Sequence, residues 1–112
     1  MRQTGILAAC GIISLEEMID RLAEDHDNAR YLANGLEGID GFSINLKTVQ
    51  TNIVCFKFEL PNLSCKEFVG NVTKKGVYVV HLYKDSGRMV THMDLNRSDV
   101  DYALEVFKDS VF

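Results

Sequence analysis

This 112-residue sequence has no basic excess: 12 lysines and arginines stand against 16 aspartates and glutamates, for a formal charge of −4. Phosphate backbones and anionic membranes are bound by clustered cations, and here Lys and Arg are scattered. Nucleic acid and membrane surfaces are therefore excluded as principal partners. Long apolar runs are missing too. The longest, Gly5 to Leu15, is too short to span a bilayer, and no basic segment followed by an apolar stretch and a cleavage site opens the chain. A cytoplasmic protein is expected. Cysteine is scarce: Cys10, Cys55 and Cys65 are odd in number and form no CxxC pair, which removes a disulfide framework and a tetrathiolate zinc site. They are expected to be reduced, buried thiols. Repeats, linkers and low-complexity segments are also absent. A content of 46% hydrophobic and 25% charged residues is enough for one core, so residues 1–112 are read as a single globular domain.

What is present is a sequence of clear periodicities. From Arg2 to Ile13 the chain is helix-compatible and apolar around most of its circumference, with no polar stripe. Ser14 with Glu17 has the form of a capping box. After it Leu15, Met18, Ile19, Leu22, His26, Ala29, Ala33 and Leu36 recur at helical spacing until Gly35 and Gly38. The carboxylates Glu16, Glu17, Glu24, Asp25 and Asp27 read as that helix's solvated face, with Glu17 and Arg21 as an i,i+4 pair.

Aromatic and β-branched clusters predict strands at about Phe42 to Leu46 and Asn52 to Phe58, the second closed by Pro61, the only proline. Ser64 and Glu67 repeat the capping-box pattern before a helix ending near Lys75 and Gly76. Val77 to Tyr83 and Arg88 to Met93 read as strands joined through Lys84-Asp85-Ser86-Gly87, a turn with hairpin chemistry. A last helix runs from about Ser98 to Val111. The expected fold is α+β: a small antiparallel or mixed sheet of about four strands backed by helices, with a long helical lead-in over 2–36 and the sheet and its helices over 42–111.

The strand Ile53 to Phe58 carries Val54, Phe56 and Phe58 on one side and Ile53 and Cys55 on the other, so both faces are apolar. With the all-round apolar opening helix, this implies a further layer of protein. A chain that begins at Met1 inside such a helix is expected to be part of a longer one.

Four stretches resemble one family. Met1-Arg2-Gln3-Thr4-Gly5-Ile6-Leu7-Ala8-Ala9, Arg21 to Ala29, Thr51-Asn52-Ile53-Val54 and Arg88-Met89-Val90-Thr91-His92-Met93-Asp94 stand in the order found in low-specificity threonine aldolases, and together they span nearly the whole chain. The resemblance covers that family's C-terminal small domain. It implies a fold-type-I enzyme using pyridoxal 5′-phosphate (PLP) to cleave L-threonine or L-allo-threonine to glycine and acetaldehyde, as a homodimer or homotetramer. It also implies a cofactor lysine and a ring-stacking histidine N-terminal to everything present here. None of Lys47, Lys57, Lys66, Lys74, Lys75, Lys84 and Lys108 follows the cofactor-lysine pattern, so this chain is not expected to hold PLP covalently or to turn over substrate alone.

By the same resemblance Arg88 holds the substrate carboxylate, a task that suits the two parallel charge-assisted hydrogen bonds of a guanidinium. Arg2 matches an arginine near the cofactor phosphate. His92, two alternations beyond Arg88 on the expected strand, is read as a supporting residue on the same face that hydrogen-bonds a loop or the last helix; His26 and His81 are read as structural. A metal site from Cys55, Cys65, His81 and His92 would need ligands at long, irregular spacing, and none is expected. The alternative function is a non-catalytic α+β module that binds a small ligand or regulates.

Overall fold

The computed structural model describes residues 1–112 and has the expected α+β fold. Helices α1 (Thr4–Ile13) and α2 (Leu22–Glu37) come first, joined through a π-helical turn at Ser14–Met18. Strands β1 (Phe42–Ser43) and β2 (Ile53–Phe58), helix α3 (Cys65–Lys74), strands β3 (Val80–Tyr83) and β4 (Ser86–Val90), and helix α4 (Arg97–Ser110) follow. The sheet runs β1-β2-β4-β3 and every neighbouring pair is antiparallel. Both edge strands are shorter than the sequence suggests. Leu46–Thr48 turns into a 3₁₀ segment capped by Asn45, and Val77 to Val79 runs without ladder bonds ahead of β3.

The period-2 pattern of β2 decides which way the sheet faces. Val54, Phe56 and Phe58 are buried against the helices, while Ile53, Cys55 and Lys57 lie on an open side. On the helix side five phenylalanines meet. Phe68 of α3 stacks on Phe58 at 4.5 Å and meets Phe42 edge-on at 5.3 Å, and Phe107 of α4 lies 5.7 Å away. Offset and edge-on packing of this kind adds to area burial. Gly87 of β4 faces Phe56 across the ladder, and a Cβ there would sit 2.3 Å from Phe56 Cζ. The ring occupies the space a side chain would need. Gly87→Ala is therefore expected to cost about 1–3 kcal/mol in urea unfolding. Gly70→Ala, exposed in α3 with nothing within 4 Å of its Cβ, is expected to add about 0.5–1 kcal/mol. Equal effects at the two glycines would contradict the Gly87–Phe56 packing.

The lead-in does not fold back on the sheet. No residue of α1 is buried, and Ile6, Leu7, Ile12 and Ile13 are all more than half exposed. The molecule measures 53 × 28 × 24 Å and its radius of gyration is 16.3 Å, against roughly 13 Å for a compact domain of this length. Ser14 and Glu17 do not form a capping box. Ile13, Ser14 and Ile19 all keep right-handed helical torsions, so no helix begins there, and the Ser14 hydroxyl instead donates to the Cys10 carbonyl at 2.9 Å. The Ser64–Glu67 box is present: Ser64 Oγ accepts from the Glu67 N–H at 3.2 Å, and the Glu67 carboxylate accepts from the Ser64 N–H at 3.0 Å. The Ser64 hydroxyl also donates to the Glu67 carboxylate at 2.7 Å, and this bond, with the one from the Ser64 N–H, holds the Glu67 carboxyl below its usual pKa. Helix α4 begins one residue before the expected Ser98, on a second box made by Asn96 and Asp99.

Candidate functional site

Arg88 sits in the middle of β4, with Cys55 of β2 and Val80 of β3 as its cross-strand partners. Its parity puts it on the open side, with Ile53, Cys55 and Val90, while Gly87 and Met89 face the helices. The side chain is half-buried. Its Nε is closed to solvent and has no hydrogen-bond acceptor, the one such buried side-chain donor in the molecule. An unmet buried donor costs about 1–3 kcal/mol, more when charged, so a guanidinium kept in this state is suited to an incoming anion. A carboxylate laid along the Nε edge would accept two parallel bonds.

His92 lies beyond the end of β4, in the turn that leads to α4, and is half exposed. The strand alternation that placed it beside Arg88 ends at Val90 and does not reach it. The Asp94 N–H donates to His92 Nδ1 at 3.3 Å, and an Asp94 carboxylate oxygen stands 3.8 Å from that nitrogen. The bond is to its own turn, and no bond joins His92 to α4. With Met89, Thr91, Val100 and Phe107, His92 lines a cavity of about 370 Å³ on the helix side of the sheet. Arg2 is exposed at the outer end of the helical rod. Arg88, His92 and Arg2 are thus not gathered into one cluster within this chain.

Residues that periodicity misplaced hold the frame of the site. Asp25, assigned above to the solvated face, is 4% exposed, and Arg21 pairs with it rather than with Glu17, donating to its two oxygens at 2.9 and 3.1 Å. The hydrogen bond to Asp25 raises the Arg21 pKa further above its ordinary value, so this cation is permanent. The Asp25 carbonyl accepts from Thr91 Oγ1 at 2.7 Å. Asn52 and Thr91 exchange two further bonds: Thr91 N–H to the Asn52 carbonyl at 2.9 Å, and Asn52 Nδ2 to the Thr91 carbonyl at 2.8 Å. Three of the four stretches quoted above, around Arg21, Asn52 and Arg88, therefore meet at the base of α2. The i,i+4 spacing of Arg21 and Asp25 was the available signal.

Two thiols also depart from expectation. Cys10 and Cys55 are exposed, because α1 has no cover and Cys55 points to the open side; only Cys65 is buried, and that burial raises its thiol pKa. No three of the His, Cys, Asp and Glu side chains are gathered where they could hold a metal ion. No helix is long and apolar enough to cross a membrane.

Comparison with known proteins places this geometry. The chain is 30% identical over 112 residues to low-specificity L-threonine aldolase 1 of Arabidopsis thaliana, a match covering 99% of the chain and 31% of that protein. It is 32% identical over 100 residues to the low specificity L-threonine aldolase of Escherichia coli strain K12, covering 89% of the chain and 28% of the relative. The chain thus spans about a third of the length of the curated relatives it matches. Among solved structures, a C-DES variant with glycine covalently linked to its PLP cofactor superposes over 94% of this chain and 28% of its own, with a TM-score of 0.76 at 18% identity, a likeness of fold. The model of the beta-eliminating lyase family matches residues 1–59, more than half of the sequence, and the chain belongs to that family.

Proposed function

We propose that these 112 residues are the C-terminal small domain of a PLP-dependent threonine aldolase, a cytoplasmic enzyme that cleaves L-threonine or L-allo-threonine to glycine and acetaldehyde. The observation that carries the reading is Arg88, a guanidinium on the open sheet face whose buried Nε has no acceptor. Relatives bearing the threonine aldolase name match nearly the whole chain, which supports the same reading.

The residues present fit the amino-acid end of such a site. They do not fit the cofactor ring. None of the seven lysines matches the cofactor-lysine pattern. PLP, when bound, supplies the electron sink for the pair left by the breaking carbon–carbon bond. The residues that hold it are assigned to protein beyond this chain, so the 112 residues alone are not catalytic.

What this chain supplies is orientation. Two parallel bonds from Arg88 fix the substrate carboxylate and stop rotation about Cα, which keeps the bond to be broken aligned with the electron sink. Asn52, Thr91 and Asp25 hold the far end of β4 in register. His92 is a supporting residue of the loop that follows, and Arg2 is assigned to the neighbourhood of the cofactor phosphate. The exposed apolar side chains of α1 and of the open face, Ile53, Val80 and Val90 among them, are assigned to contacts with the cofactor domain and neighbouring subunits of a dimer or tetramer. A self-contained ligand-binding module would cover these surfaces itself.

The test is a graft. The matched segment of the E. coli aldolase is replaced by this chain, and acetaldehyde release from L-threonine is followed with a coupled alcohol dehydrogenase. Release that requires both PLP and the grafted chain is expected. A graft that folds and shows the PLP absorbance band but forms no acetaldehyde overturns the reading.

A further inference from the structure

The pairing of β3 with β4 stops at Val80 and Arg88, and the chain before Val80 carries no ladder bonds. The cause lies in how α3 ends. Gly76 takes a positive φ of 84°, and the Val77 N–H donates back to the Val72 carbonyl at 3.1 Å, so the chain leaves α3 tied to the helix layer. Val77 to Val79 therefore approaches the sheet without meeting β4. The Thr91 N–H turns to β2, where the Asn52 carbonyl accepts it; alternation along an antiparallel strand turns the Val90 N–H and C=O the other way, into the gap, and no bond joins them to Tyr78. Helix α4 borders the gap, tied to the end of α3 by the Tyr102 hydroxyl, which donates to the Lys75 carbonyl at 3.0 Å. The result is the cavity of about 370 Å³ that His92 lines, within the size range of small-molecule sites, with Leu32, Val79, Met89, Val100, Ala103 and Phe107 as its apolar wall.

The charge around this cavity has one sign. No lysine or arginine lines it, and two aspartates do, Asp94 and Asp99. Asp99 uses one carboxylate oxygen to accept the Asn96 N–H, and its other oxygen has no partner. The Asp94 carboxylate makes no hydrogen bond. His92 Nδ1, 3.8 Å from it, already accepts the Asp94 N–H, and Arg21, which feels the Asp94 charge, gives its guanidinium to Asp25. With the Val90 carbonyl, these carboxylates are acceptors bordering an apolar space. An ammonium has three N–H donors and no acceptor, and it matches that set. An anion would meet two like charges and no cation, and the carboxylate of an amino acid would have no partner here. We propose that the cavity binds a primary ammonium carrying an apolar, ring-sized body. Arg88 lies on the other side of the sheet and takes no part, so this site stands whether or not Arg88 holds a carboxylate.

The experiment follows the ¹³C-methyl signal of Met89 in this chain while three probes with the same ring are titrated: 2-phenylethylamine, 2-phenylethanol and 3-phenylpropionate. The amine is expected to give a saturable shift, the alcohol to bind about fivefold more weakly because it loses the charge-assisted bonds, and the carboxylate to give none. Asp94→Asn, a change at a mostly exposed side chain, is expected to weaken the amine by about two- to fivefold and to leave the alcohol unchanged. Ala103→Leu fills the cavity and is expected to remove the response to both, with an unchanged urea midpoint showing that the variant folds. Should that variant not fold, the Asp94→Asn comparison decides alone. No saturable shift with the amine, or an alcohol or carboxylate that binds as tightly, overturns the ammonium site. An amine response untouched by Asp94→Asn overturns it as well.

Discussion

Arg88→Ala in the grafted aldolase is expected to lower kcat/KM for L-threonine by roughly 100- to 1000-fold, about 3–4 kcal/mol of transition-state stabilisation. The magnitude follows from losing two charge-assisted bonds in a site that excludes much of the solvent around Arg88 Nε. Both kinetic constants should move. KM rises because the carboxylate has lost its anchor, and kcat falls because the substrate can rotate out of alignment. Arg88→Lys should recover only part of the loss, since an ammonium is a point charge and cannot hold both oxygens in one plane. A fall in kcat/KM of less than about threefold would place Arg88 outside the site.

Phe68→Ala is expected to destabilise the chain by about 3–5 kcal/mol, a large share of the roughly 5–15 kcal/mol typical of a whole domain. Phe68 is fully buried and touches the rings of Phe42, Phe58 and Phe107, which belong to two strands and another helix. Its removal leaves a gap that three separate elements border, and rigid strands cannot collapse to fill it. Urea unfolding followed by circular dichroism is the measurement, with the midpoint falling and the slope unchanged. A loss below about 1 kcal/mol would show that the phenylalanine cluster is not what joins helices to sheet.

Local patterns were legible where local chemistry decides the outcome. Ser64 and Glu67 satisfy each other's backbone groups within one turn, and Val54, Phe56 and Phe58 alternate with Ile53, Cys55 and Lys57 at the period of a strand. A turn does join β3 to β4, but it is only Lys84 and Asp85, because Ser86 and Gly87, read as part of the turn, already belong to β4. What sequence reading missed depends on contacts far along the chain. Asp25 is buried because Thr91, 66 residues on, brings the end of β4 against α2. Nothing in the spacing of Asp25 among other carboxylates distinguishes it from Glu24. His92 was placed by extrapolating an alternation past Val90, where the ladder with β2 ends at Ile53, the pairing with β3 having already ended at Arg88. Ser14 fits a cap by composition, but the apolar stretch before it is already helical and keeps its torsions through it. The candidate site was legible through Arg88 alone; its frame of Asp25, Asn52 and Thr91 became visible only once the strands were paired.

The most direct test of Arg88 as the carboxylate anchor is its own Nε–H signal in ¹⁵N spectra of this chain, titrated first with glycine and then with methylamine, which carries the amine but no carboxylate. A saturable shift with glycine and none with methylamine is the expected result. A signal that answers neither, or both alike, would contradict it.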